Sequence, residues 1–319
     1  MDRALDLLVA DAGAALGSGG EMIGAATDSL PRFVLFHAAN SICSHKVRCV
    51  LAQHATPYLS HQLNLFAGQT YLPAYVRLRM IGCASFGGAL VSRHHGSTSA
   101  SAGCDGVVVP TLVDRQFGEV IVDSKRICLY LDQQIAETGR LRPAHLAAQI
   151  DRELAIVDEL PNYQMLMGRK TGTPADAAST VATRAAFSQR KVGWCESYIA
   201  ECAGETALVK AYTAKRSKEL SAVTDLFSAD AMAIANSLME SALQGLESKL
   251  ERGPAQWLFG DQPSMADLFW GIQLLRLENV GASSAWDKGR LPETAKFAQV
   301  TRDLASMRSS VLDWPGAMM

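Results

Sequence analysis

The segment Gly106-Val-Val-Val-Pro-Thr-Leu-Val113 is apolar enough for a buried strand, yet it carries a proline in its middle. Proline has no amide hydrogen to give to a sheet ladder, so Pro110 argues against a simple central strand. Something specific is asked of the backbone at Val109-Pro110. Around it the order of elements is legible. Arg32-Phe-Val-Leu-Phe36 reads as a buried strand, and Val47, Val50 and Leu51 keep helical spacing over His45 to His54, which Pro57 ends. Tyr58 to Leu65 reads as a second strand, and Tyr71 to Met80 as a short helix or turn. Glu119-Val-Ile-Val122 is the hairpin partner of the proline-bearing run. Asp123-Ser124 then caps a helix whose apolar face is Ile127, Leu131 and Ile135.

After Arg142-Pro143 the pattern is helical, with helices expected over 144–160, 177–203, 205–221, 230–251, 264–279 and 293–308. Ser264-Met-Ala-Asp267 opens the clearest of them as a capping box, ahead of an apolar stripe of Met265, Leu268, Phe269, Ile272 and Leu275. The fold class is therefore an α/β N-terminal domain followed by an all-α C-terminal bundle, and 319 residues suit two domains. The boundaries are a 1–31 N-terminal extension outside the first core, an α/β domain over 32–132, a break near 133–143, and a helical domain over 144–319. Small residues over 82–106, among them Gly87-Gly88 and Ser97 to Gly103, read as an inserted loop.

Thirty basic and thirty-two acidic residues leave a net charge of -2, so no excess of cations awaits a nucleic-acid backbone. No stretch reaches the ~18 apolar residues of a membrane span, and Asp2, Asp6 and Asp11 stand where an export signal would be basic and then apolar. The seven cysteines are scattered and contain no C-x-x-C pair, which fits a reducing, cytoplasmic compartment rather than a disulfide framework. His94-His95 lack ligand partners at metal-site spacing and read as a solvated loop, so no metal is expected.

Asn40-Ser-Ile-Cys-Ser-His-Lys-Val-Arg48 puts a hydroxyl and a thiol where a strand gives way to a helix. Unpaired amides and the helix dipole favour an anion there, and they can lower the pKa of a thiol. Locally the alternative stays open: Ser41 or Ser44 as a plain helix cap, and Cys43 as an inert half-buried residue.

Taken together, Val109-Pro110-Thr111-Leu112, Asp123-Ser124 and the box within Trp257-Leu-Phe-Gly-Asp-Gln-Pro-Ser-Met-Ala-Asp-Leu-Phe269 resemble the glutathione transferase superfamily over about residues 32–310. The resemblance implies a thioredoxin-like first domain, a helical second domain, glutathione as co-substrate and a cytoplasmic homodimer. Ser41-Ile-Cys43-Ser-x-Lys46, Tyr75-Val-Arg-Leu-Arg79 before an insert, and Asp123-Ser-Lys-x-Ile-Cys-Leu-Tyr130 are most similar to its reductive dehalogenases of chlorinated hydroquinones. That implies Ser41 as donor to the glutathione sulfur and Val109 as backbone partner of its cysteinyl part, oriented by a cis Pro110. Ser124, with Asp123 nearby, would take the γ-glutamyl end, and Cys43 would resolve a glutathione–aromatic conjugate by thiol–disulfide exchange. Rival readings are glutathione-dependent β-aryl ether cleavage or conjugation, which need Ser41 but not Cys43, and a non-catalytic binding or partner subunit.

Other candidates have plainer readings. Tyr71, Tyr75, Phe33 and Phe36 fit a core better than an aromatic pocket, and Arg77 and Arg79 a solvated helix face. Cys128, Trp270, Trp286 and Trp314 read as packing residues. Pro161 to Gly168, with its methionines, is a candidate pocket wall or plain core.

Overall fold

The computed structural model describes residues 3–25, 30–87, 89–135, 140–168, 174–253 and 256–318. Asp28 and Ser29 of the extension, Gly88 of the insert and 136–139 of the expected break lie outside the described residues.

The described residues form a five-stranded mixed sheet of β1 (Glu21–Ile23), β2 (Phe33–His37), β3 (Tyr58–Gln62), β4 (Thr111–Asp114) and β5 (Glu119–Val122), in the order β1-β3-β2-β4-β5. β2 runs parallel to β3 and antiparallel to β4, and β4 pairs antiparallel with β5. β2 is buried along its whole length, as an apolar run covered on both faces should be. Alternation sorts its side chains. Phe33 and Leu35 pack with α2 (Ile42–Gln53) and α4 (Ser124–Ile135), whereas Val34 and Phe36 pack with α1 (Arg3–Ala15) and α3 (Pro73–Phe86).

The first residues are not outside the core. Leu5, Val9 and Ala12 of α1 are buried against Val34 and Phe36, and β1 adds an antiparallel edge strand to β3. The close approach depends on glycine: a Cβ on Gly13 would meet the His61 ring at 2.8 Å, and one on Gly20, at φ +80°, would meet it at 2.9 Å. α3 is also longer than expected. It runs to Phe86 and stops at Gly87 in the left-handed region, so the insert begins at 87 and not at 82. The strand expected over 106–113 starts only at Thr111, beyond the proline, and the Val109–Pro110 bond is cis.

The insert is tied down. Cys83 and Cys104 are joined as a disulfide across its base, with Cα atoms 5.7 Å apart, so the cysteines are not all free thiols. Nothing in their spacing signals it, since Cys83 lies in a helix and Cys104 in a loop. His94 is not solvated either: it stacks on Tyr163 at 4.3 Å, and burial pulls its pKa down to about 3. Asp105 pairs with Lys215 and Lys218, and Tyr163 N–H donates to Gly96 O. The segment expected to overhang a pocket thus meets the insert instead.

The helical half comprises α5 (Ala147–Glu159), α6 (Asn162–Met167), α7 (Pro174–Glu201), α8 (Thr206–Asp225), α9 (Ala229–Arg252), α10 (Met265–Asn279), α11 (Pro292–Asp303) and a short α12 (Ala305–Met307). The helix expected over 293–308 therefore divides at Leu304. The capping box forms: Ser264 N–H donates to Asp267 at 2.7 Å, and Asp267 also accepts from Leu258 N–H. α10 is buried from Met265 to Leu277, a central helix rather than an amphipathic one. Among the described residues no helix is long and apolar enough to cross a membrane.

Candidate active site

Register brings three separate segments to one end of the sheet. Phe36 pairs with Thr111, and Thr111 pairs with Val122. The chain therefore leaves β2 into Ala38–Ser41, enters β4 from Val109–Pro110 and leaves β5 into Asp123–Ser124, all at the same edge.

The first of these turns is held by its carbonyls. Arg48 donates to Ala38 O at 3.1 Å and to Ala39 O at 3.0 Å, His45 bonds Ala39 O at 2.7 Å, and Arg276 of α10 donates to Asn40 O at 2.6 Å. Arg48 is itself fixed by Ser310 O at 2.8 Å and by the Trp314 ring, 4.5 Å from its guanidinium carbon. The turn delivers Ser41 as N-cap of α2, its Oγ accepting from Ser44 N–H at 3.3 Å. Because that oxygen accepts, its own hydrogen stays available for an anion.

Cys43 follows in the first turn of α2 and is partly buried. Burial pushes its thiol pKa up; the Lys46 ammonium and the Ser124 hydroxyl pull it back, Asp158 and Asp123 push again, and the net direction is upward. Its electrostatic neighbours include both residues of the β5–α4 turn. Ser124 is the first residue of α4, and its hydroxyl is buried without a hydrogen-bond partner. Asp123 stands at φ +75° and accepts from Arg126 N–H at 3.0 Å.

The Val109–Pro110 turn rests on two α3 residues, Tyr75, core as expected, and Arg79, which the sequence reading put on a solvated face. Tyr75 donates to Val108 O at 2.7 Å and contacts Thr111 Oγ1 at 2.9 Å. Arg79 is not solvated but 3% exposed, and donates to Asp105 O at 2.7 Å, Pro110 O at 2.5 Å and Thr111 Oγ1 at 2.9 Å. Only Arg77, paired with Glu205, is on the surface. Arg79→Met takes the donor from two carbonyls, Asp105 O and Pro110 O, while Thr111 Oγ1 keeps Tyr75, so urea unfolding should show a loss of about 3 kcal/mol.

A cavity of about 250 Å³ opens beside the first turn, lined by Ala39, Asn40, Gln62, Leu63, Phe66 and Pro315. A larger one of about 490 Å³ lies under α1 against Val34 and His61, on the face of the sheet opposite Cys43, and is not part of this site. Tyr71, Tyr75, Phe33 and Phe36 are core as expected, and Cys128 is fully buried with its thiol pKa pushed well up. Trp314, read as packing, instead spans Arg48 and Gln62.

Residues 229–296 match the family model of the glutathione S-transferase C-terminal domain. Over 290 residues the chain is 32% identical to the 2,5-dichlorohydroquinone reductive dechlorinases of two strains of Sphingobium indicum, covering 90% of this chain and 84% of each of those. The chain belongs to the glutathione S-transferase superfamily. It is an enzyme of that family, with a thioredoxin-like sheet domain and a helical C-terminal domain. Among solved structures this transferase is similar to the β-etherase LigF from Sphingobium sp. strain SYK-6 (15% identity, TM-score 0.57, 88% of this chain and 98% of that one). It is similar also to Ure2p in complex with glutathione (16% identity, TM-score 0.52, 89% and 100%). At those identities the likeness is one of fold.

Proposed function

We propose that this transferase uses glutathione to remove halide reductively from a halogenated hydroquinone-like aromatic. The observation that carries the reading is a second sulfur, Cys43, two residues beyond the capping hydroxyl of Ser41 and beside Ser124. The printed activity of the 32%-identical relatives agrees with it.

The residues present suit glutathione. An unpartnered hydroxyl at the N-terminus of α4 fits the carboxylate at the γ-glutamyl end, with Asp123 nearby for the amine. Val109 offers its backbone, and Ser41 donates its free hydrogen to the sulfur as thiolate.

Glutathione supplies the sulfur that displaces chloride from a tautomer of the hydroquinone, with loss of a proton. Cys43 then attacks that sulfur. An S–S bond forms, the S–C bond breaks, and the ring carbon keeps the electron pair and takes up the proton that the thiol gave. A second glutathione exchanges with the mixed disulfide and regenerates Cys43. Two thiols are oxidised to one disulfide for each halide removed.

The second reading, ether cleavage or conjugation, requires Ser41 alone. Turnover of chlorinated hydroquinones with glutathione separates the two. Reductive chemistry consumes two glutathiones and yields one glutathione disulfide, one chloride and one dechlorinated ring; one glutathione consumed with conjugate as the end product overturns it. The reading includes a homodimer in a cytoplasm that supplies glutathione.

A further inference from the structure

Lys46 lies three residues beyond Cys43 on α2, one helical turn along the same face. It is a lysine with no exposed surface, and so a cation that must be held deliberately. Its ammonium donates to Asp158 Oδ1 at 2.7 Å, reaches Thr98 Oγ1 at 3.3 Å and sits 4.6 Å from the centre of the Phe269 ring. Asp158 closes α5, and its other oxygen meets Lys125 of α4 at 3.2 Å. Thr98 belongs to the insert, and its backbone N–H donates to Asp158 O at 3.0 Å. Three separate parts of the chain therefore converge on one ammonium, α5, α10 and the insert, while α4 braces Asp158 from its other oxygen.

We propose that Lys46 is a positioning residue for Cys43, its charge fixed beside the thiol by Asp158 and by Thr98, so that the insert serves the chemistry of the reacting cysteine. This deepens the reading of Cys43 as the resolving thiol and rests on it. The charged and titratable groups around the thiol are Lys46 and neutral His45 on α2, Asp123 at the start of α4, Asp158 on α5 and Arg276 on α10. Burial lowers the pKa of Lys46, but Asp158, Cys43 and Asp123 together outweigh it and the group stays charged. Asp158 has two opposed effects on Cys43: it holds the helpful cation, and its own charge disfavours a thiolate.

The charge of Lys46 can be tested with no substrate present. The full-length protein is alkylated with iodoacetamide across a range of pH, and the peptide carrying Cys43 is followed by mass spectrometry, with Cys43→Ser as blank. Lys46→Gln should raise the midpoint by about one unit, roughly tenfold slower reaction at a fixed pH below it, and Lys46→Arg should restore most of the rate. Lys46→Met, which keeps the length of the buried stem and removes only the charge, should shift the midpoint the same way, and it decides the matter if Lys46→Gln fails to fold. Thr98→Val, which keeps the shape and loses the hydroxyl, should slow alkylation. An unmoved midpoint in Lys46→Gln or Lys46→Met overturns the proposal, and an unchanged Thr98→Val rate overturns the part given to the insert. Failure of dehalogenation with these shifts intact would count against the substrate reading alone.

Discussion

Replacing Cys43 with serine should abolish formation of the dechlorinated ring while a glutathione–aromatic conjugate accumulates. The loss should reach several orders of magnitude, the scale on which removal of a nucleophile acts. A serine oxygen cannot take part in thiol–disulfide exchange, so chemistry halts after the first sulfur–carbon bond. Cys43 is partly buried and makes no hydrogen bond that organises α2, so the circular dichroism of the variant should match the parent. In the parent, burial holds the thiol pKa above its ordinary value. Thiolate is then scarce at neutral pH, and the resolving step should accelerate as pH rises, whereas conjugate formation by the variant should lack that part of the profile. Mass spectrometry of the reaction mixture is decisive. Equal yields of reduced product from both proteins would remove Cys43 from the mechanism.

The second large effect is expected at Ser41. Its oxygen accepts from Ser44 N–H and its hydrogen is free, so Ser41→Ala removes both a helix cap and a donor aimed at the glutathione sulfur. The cap accounts for about 1 kcal/mol of stability. Loss of a fixed donor to a developing or resident anion lowers kcat by about 10² to 10³. The two consequences separate experimentally. Thermal unfolding reads the first, and the pH dependence of thiolate absorbance from bound glutathione reads the second, with the apparent thiol pKa expected to rise toward that of a free thiol, about 8.5. An unshifted profile would leave Ser41 as a cap and nothing more.

Much of this architecture was legible in the chain, for identifiable reasons. The proline inside an apolar run marked the backbone at Val109-Pro110 as unusual, although not that the strand starts only at Thr111, and the capping box at Ser264 marked the start of α10. Local chemistry of that kind survives folding because its partners are a few residues apart. What escaped was long-range. Arg79 has the spacing of an ordinary charged helix residue, and only the turn 31 residues later, which it holds through Pro110 O, explains its burial. Lys46 and Asp158 are separated by 112 positions, so neither advertises the other. The place of residues 1–31 outside the first core fails for a different reason: glycines at 13 and 20 make room for the His61 ring and let α1 pack on the sheet, a contact no local pattern announces. Cys83 and Cys104 had only a sequence separation of 21 to recommend them.

The grip of Ser310 and Trp314 on Arg48 makes the two ends of the polypeptide unequal. Residues 310–314 are wedged behind the loop that carries Ser41, so an affinity tag or a protease acting there would reach the candidate site indirectly. The amino end rides on the far side of the sheet, which makes it the safer handle for immobilisation or labelling.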